Sequence, residues 1–253
     1  MNCIVTVMRP RATQDAMPLP FPAIARRAHM IAMPTAQPRP ATVAVLLVGG
    51  LARRMGGGDK SRLVVGGCTI IERTIACIAP QVPALVINAN GDPGRFGDLG
   101  LPVAPDSVAG HAGPLAGVLA GLDWAAAHGA DWLLSVPGDC PFLPGDLAAR
   151  LHAGRAAAGS MFACAASAGR AHPVAALWPV ALRDDLRAAL AGGLRRVDRY
   201  TRPERTAQIE WPAVPIDPFF NINTPDDLTE ANRLVATSSI APPAGATPER
   251  PPG

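Results

Sequence analysis

Residues Thr42–Val48 (TVAVLLV) form a wholly apolar run that stops at Gly49-Gly50. A run without alternation reads as a strand covered on both faces, as central strands of parallel sheets are. Ala84–Asn88 (ALVIN) and Trp132–Val136 (WLLSV) repeat the pattern. Between these runs the period lengthens. Ile70, Ile71, Thr74, Ile75 and Ile78 share one face of a helix over Thr69–Ile78. Leu115–Ala127, rich in Ala and Leu, begins after Gly113-Pro114 and ends near Gly129, which are helix start and stop signals. Pro144–Ala156 and Ala181–Leu190 read as further helices, and Leu63–Val65 as a short strand. Met161–Ala165 and Pro173–Trp178 read as strands joined by a hairpin around Ala168–Arg170. Pro225–Val235 closes the pattern as a helix with Thr224 as N-cap and Pro225 at its first position.

Strands alternating with helices predict an α/β fold: three layers, Rossmann-like, with a mostly parallel central sheet and helices on both faces. The folded domain is expected over 41–235. Residues 1–40 read as a disordered extension or as sequence upstream of the true start, with Met30 and Met33 as alternative starts. The Pro/Ala/Ser/Gly bias of 236–253 reads as a disordered tail. Ligands of open α/β sheets lie outside the carboxyl ends of the strands. The residues to examine are therefore those that follow the apolar runs: Gly49–Lys60, Asn88–Asn90, Asp106, Asp139 and Asn221–Asn223.

Composition narrows the function classes. A net charge of +3 with no basic stripe gives no footprint for nucleic acid. No apolar run reaches the ~20 residues of a membrane span, and prolines interrupt the basic N-terminal stretch before it resembles a signal peptide. The five cysteines lie at unrelated spacings with no CxxC pair, which argues against a zinc site and for a reducing cytoplasm. The chain has a single lysine, Lys60, among many arginines. Either it survives by chance, or it stands where a compact ammonium is needed against phosphate and a planar guanidinium is not equivalent.

The surroundings of Lys60 bear on that choice. Gly49–Lys60 (GGLARRMGGGDK) opens directly from the first strand with five glycines and three cations. Glycine permits close backbone approach, and successive N–H groups can cradle phosphate oxygens. Arg54 and Lys60 would neutralise a triphosphate. The loop is not a P-loop, because Asp59 rather than glycine precedes the lysine, and it lacks the dinucleotide fingerprint GxGxxG. Asp139, between Pro137 and Pro141 after the third strand, suits Mg²⁺, which is commonly held by one or two carboxylates plus substrate phosphates. A turn-capping role is the alternative for Asp139, a strand-end cap for Asn88, and loop hydrogen bonding for Asn221 and Asn223.

Leu46–Leu63 (LLVGGLARRMGGGDKSRL) resembles the signature of molybdenum cofactor guanylyltransferases. So, in the same order, do Val86–Asn90 (VINAN), Pro105–Leu122 (PDSVAGHAGPLAGVLAGL), Val136–Pro144 (VPGDCPFLP), His172–Leu177 (HPVAAL) and Asn221–Leu228 (NINTPDDL). The resemblance spans nearly the whole expected domain. It implies a nucleotidyltransferase fold and transfer of GMP from GTP to molybdopterin or molybdenum cofactor. It also implies Mg²⁺ on Asp139, with Lys60 and Arg54 on the phosphates. The base and ribose would lie over Leu47, Val48 and Gly49 near Asn88 and Asp106, and the acceptor near Asn221 and Asn223. Val48 stands where the family usually carries alanine. A handover partner, such as a molybdoenzyme chaperone or another cofactor-biosynthesis protein, is implied as well. His172 lies in a matching segment but is read as structural. The alternatives are cytidylyl transfer to the same cofactor, nucleotidyl transfer to a sugar or alcohol phosphate, and a chaperone that binds without chemistry.

Overall fold

The structure is a computed structural model, and it describes residues 41–49, 59–108 and 113–238. A seven-stranded sheet has the order β5-β4-β1-β6-β8-β7-β9. Its strands are β1 (Thr42–Leu47), β4 (Leu85–Asn88), β5 (Val103–Ala104), β6 (Trp132–Pro137), β7 (Phe162–Ser167), β8 (Arg170–Pro179) and β9 (Thr206–Trp211). Strands β2 (Val64–Val65) and β3 (Cys68–Thr69) form a separate antiparallel hairpin. β8 runs antiparallel to both of its neighbours, and every other pairing in the large sheet is parallel.

β1 is apolar throughout because both its faces are covered. Ala44 and Leu46 join one core cluster, Val43 and Val45 the other. The first cluster receives Ile71 and Ile78 from α1 (Ile70–Ile78) and Leu147 and Leu151 from α3 (Leu147–Ala158). The second receives α2 (Pro114–Ala127), α4 (Arg183–Ala191) and α5 (Val197–Thr201). Helix, sheet and helix are the three layers expected.

α2 lies against the sheet through two glycines. A Cβ on Gly121 would come within 2.8 Å of Val45, and one on Gly117 would overlap Asn88 Oδ1 and meet Leu47 Cδ2 at 2.7 Å. The Gly-Pro-Leu-Ala-Gly run therefore sets the distance between α2 and the strand ends that carry Leu47 and Asn88. Gly117→Ala is expected to cost ~1–3 kcal/mol through overpacking and to displace Asn88. A lowered melting temperature in thermal unfolding checks this.

Helix α6 (Pro225–Thr237) starts with a capping box between Thr224 and Asp227. Ile222, fully buried with Val65, Ile70 and Ala231, pins the chain just before it. α6 thus packs beside the β2–β3 hairpin, away from the large sheet. Its observed end at Thr237 lies two residues beyond the expected domain boundary.

Several expected bounds shift. α3 begins at Leu147, because Pro144–Asp146 form a turn in which Leu147 N donates to Pro144 O at 3.3 Å. Val180–Leu182 is a 3₁₀ turn, so α4 starts at Arg183. β8 is longer than its apolar segment, and α5 and β9 were not expected at all. Residues 1–40 and 239–253 lie outside the described residues. Among the described residues no helix is long and apolar enough to cross a membrane.

Candidate active site

β1, β4 and β6 end side by side, and the segments that leave them build one cleft of about 1050 Å³. Leu47, Val48, Gly49, Lys60, Asn88, Asp106, Asp139 and Asn221 all line it. Asn223 does not line it but reaches it through Lys60. Arg54 lies outside the described residues.

At the floor, β6 continues through Gly138 to Asp139. Gly138 N donates to Leu47 O at 3.1 Å, and a Cβ at Gly138 would stand 2.8 Å from that carbonyl. Only glycine lets the two strand ends approach this closely, and this brings Asp139 over the sheet beside Val48. Asp139 is half-buried, and its carboxylate accepts a weak thiol hydrogen bond from Cys140, at 3.8 Å. Burial raises its pKa above the ordinary carboxylate value, and the charge of Lys60 partly offsets this.

Lys60 begins a 3₁₀ turn capped by Asp59, whose Oδ1 accepts from Ser61 N at 3.1 Å and Ser61 Oγ at 2.8 Å. The ammonium donates to Asn223 Oδ1 at 2.7 Å. Ile222 N donates to Asp139 O at 3.0 Å. Asp227 Oδ2 accepts from Asn223 N and Thr224 N, both at 2.8 Å, and these donors hold its pKa below the usual carboxylate range. The Asn-Ile-Asn segment is thus tied by its backbone to the Asp139 loop and by a side chain to Lys60. The segments of Lys60, Asp139 and Asn223, far apart in sequence, form one hydrogen-bonded unit.

Beyond β1, Asn88 and Asn90 hold Asp106. Asn88 Nδ2 donates to Asp106 Oδ1 at 3.1 Å and to Ala104 O at 3.1 Å. Asn90 Nδ2 donates to Asp106 Oδ2 at 2.8 Å, and Asp106 N returns a bond to Asn90 Oδ1 at 2.9 Å. Asn88 is 5% exposed, so most of its amide serves this clamp. The strand-end role weighed for Asn88 and a role in shaping the nucleotide end are therefore compatible.

Sequence reasoning assigned no role to Asp59 or Asn90, although both lie in the segments it picked out, and it did not single out Gly138, Arg170 or Phe219; all five line the cleft. Asn90 was legible as a second polar residue after the strand, and Asp59 as the residue before the lysine. Arg170 and Phe219 carried no local signal.

Among the described residues no group of three or more His, Cys, Asp or Glu side chains converges to bind a metal. Three half-buried carboxylates line the cleft; Asp59 is engaged by Ser61 and Asp106 by Asn88 and Asn90, and Asp139 is left to fit a hard cation that takes its remaining ligands from phosphate and water, as Mg²⁺ does. The volume slightly exceeds the ~300–1,000 Å³ of pockets that hold one small ligand.

The fold and this cleft define a nucleotidyltransferase. Residues 44–207 match the model of the MobA-like NTP transferase domain. The chain is 56% identical over 210 residues to a molybdenum cofactor guanylyltransferase of Rhodopseudomonas palustris, covering 82% of this chain and all of that protein. It is 46% identical to one from Mesorhizobium japonicum, over 76% of this chain and 94% of that one. In fold it is similar to a molybdopterin-guanine dinucleotide biosynthesis protein A from Archaeoglobus fulgidus (TM-score 0.58, 24% identity, 77% of this chain and 98% of that chain). A nucleotidyl transferase from Methanothermobacter is similar too (TM-score 0.59, 21% identity, 78% and 99%). The chain belongs to the molybdenum cofactor guanylyltransferase family.

Proposed function

We propose that this protein transfers GMP from GTP to the terminal phosphate of molybdopterin or molybdenum cofactor and releases pyrophosphate. The observation that carries the reading is the linkage of Lys60, Asn223 and the Asp139 backbone at the mouth of the sheet. That linkage puts a cation and a carboxylate in one cleft, where a triphosphate and a metal need them. The names of the relatives support the substrates.

The acceptor is a phosphate monoester and already an anion at neutral pH. One of its oxygens bonds to the α-phosphorus of GTP as the bond from that phosphorus to the bridging oxygen of the β-phosphate breaks. The electron pair leaves with pyrophosphate, and no general base is required. Rate enhancement comes from positioning and charge stabilisation. Lys60 neutralises the departing phosphates, with Asn223 fixing its direction. Asp139 would hold Mg²⁺, which when bound neutralises phosphoryl oxygens. Asn88, Asn90 and Asp106 shape the end that receives base and ribose, beside the Leu47–Gly49 backbone. We assign to Arg54 the outer phosphates, and to Asn221 the acceptor side.

Guanine is the base proposed, since the Gly-Pro-Leu-Ala-Gly run and the strand-end glycine pair accompany it in the resembling family. The reaction is assigned to the cytoplasm, where Cys68, Cys77, Cys140 and Cys164 stay reduced as free thiols. The product would pass to a cofactor-delivery protein. The test is transfer of α-labelled nucleotide to the cofactor with Mg²⁺. Label is expected from GTP and not CTP. Preference for CTP overturns the base assignment, and no transfer to intact cofactor from either overturns the acceptor.

A further inference from the structure

β8 is the one reversed strand of the large sheet, and this places its N-terminal half at the site. It pairs with β6 only from Trp132–Pro179 to Ser135–Ala176, so Arg170–Ala175 leave that ladder as β6 approaches its carboxyl end at Pro137. Pairing with β7 slips there too. Cys164 faces Ala176, but the next residue, Ala165, faces His172, which leaves Pro173, Val174 and Ala175 bulged out of the ladder. A bulge bends its strand and re-aims the side chains beyond it. Ser135, fully buried on β6, fixes this bend. Its hydroxyl donates to Val174 O at 2.6 Å and accepts from Trp178 Nε1 at 2.8 Å. The hairpin closes through Ala168 and Gly169, both in the left-handed region, with φ of 48° and 72°.

The bent hairpin is a wall of the cleft. Arg170, His172, Pro173 and Val174 line it, across Asp139 from the Asn88–Asp106 end. The His172 ring stacks on Phe219, with centroids 4.7 Å apart and 23° between planes, and its Nε2 lies 2.7 Å from Ser167 Oγ. One ring face and one ring edge are therefore engaged by protein, and the half-buried ring is part of the cleft lining. Burial lowers the His172 pKa, and Asp217 opposes this shift, so the ring is neutral at neutral pH. Arg170 is exposed at the rim, and no carboxylate among the described residues forms a salt bridge with it. A flat neutral ring beside a cation suits a planar heterocycle that carries a phosphate.

We infer that Arg170 and His172, with Phe219 behind the ring, form the acceptor subsite. The imidazole face stacks on the fused heterocycle, and the guanidinium takes a non-attacking oxygen of its phosphate. This rests on the transferase reading above. It also gives His172 a binding role in addition to the structural one read from sequence.

The test uses the full chain with Arg170→Ala, His172→Ala, His172→Phe and Ser167→Ala. Steady-state KM is measured separately for GTP and for the cofactor, and cofactor binding is measured by fluorescence without nucleotide. His172→Ala and Arg170→Ala are each expected to raise the acceptor KM about tenfold, as loss of a stacking platform or a charge-assisted phosphate contact does. The KM for GTP stays within about twofold in both, since neither contact touches the nucleotide. His172→Phe keeps a flat face and should restore most of the acceptor affinity. An unchanged acceptor KM, or an equal rise for both substrates, overturns the subsite. So does a Ser167→Ala variant as impaired as His172→Ala combined with no rescue by Phe, which would make the histidine a brace. If the wild type transfers nothing, the parent reading fails by itself, and the binding series without nucleotide still decides the subsite.

Discussion

Asp139→Asn should sharply slow nucleotidyl transfer and at the same time raise the melting temperature of the metal-free protein at pH 7. The catalytic loss follows from removing the cleft carboxylate proposed to hold Mg²⁺. Deleting a group that stabilises transition-state charge typically costs ~3 kcal/mol, about a hundredfold in rate. The stability gain has a separate cause. Burial raises the Asp139 pKa in the folded protein, so between the unfolded and folded pKa values the native state binds more protons than the unfolded one. Native stability therefore falls as pH rises through that window and stays lowered above it. The asparagine is neutral throughout and avoids this loss. The difference in melting temperature should be positive at pH 7 and vanish at acid pH, where both side chains are uncharged. Addition of Mg²⁺ with GTP should stabilise the wild type more than the variant. Turnover near the wild-type value, or a melting temperature lower at pH 7 than at acid pH relative to wild type, would remove Asp139 from its assigned role.

Lys60→Ala carries the second large effect. A loss of about a hundredfold in kcat is expected when the charge facing the departing phosphates is removed, and Lys60→Arg should recover little of it. The ammonium sits 2.7 Å from Asn223 Oδ1 at the head of a short turn. A planar fork has a different reach and geometry, so it would not keep both that bond and the phosphate contact. A second readout separates this role from simple loss of fold. Lys60 lowers the pKa of Asp139. Without it, the protonated carboxyl is favoured further, and the acid limb of the pH–rate profile should move to higher pH in Lys60→Ala. Full activity in Lys60→Arg, or an unmoved acid limb, counts against the arrangement.

The core of the fold was legible because burial on both faces leaves an unmistakable pattern. β1, β4 and β6 read as uninterrupted apolar runs, and α1 and α6 announced themselves through residue spacing and capping residues. β9 was missed although Ala207, Ile209 and Trp211 alternate with polar positions between Pro203 and Pro212, because three apolar residues in a six-residue segment make a weak period. α5 is only five residues long, too short for any period to register. The extra length of β8 was hidden for another reason. Its first residues, exposed Arg170 and half-buried Ala171 and His172, form no apolar run, and they are strand only because β7 pairs with them.

The same division holds for the site. Sequence by itself picked out Gly49–Lys60, Asn88 and Asp139 at the ends of apolar strands, and Asp106 and Asn221–Asn223 in polar segments, all with chemistry suited to phosphate, metal and nucleotide. Those signals are local: a glycine run, a lone lysine, a carboxylate between prolines. Tertiary structure decided that Lys60 takes its direction from Asn223, 163 residues away, and that the Asp139 backbone holds Ile222. It decided that Asn88 and Asn90 spend their amides on Asp106, and that a bend fixed by Ser135 turns Arg170 and His172 toward the cleft. These depend on strand order and on the reversal of one strand. Pairing between distant segments sets both, and no single stretch of residues encodes them.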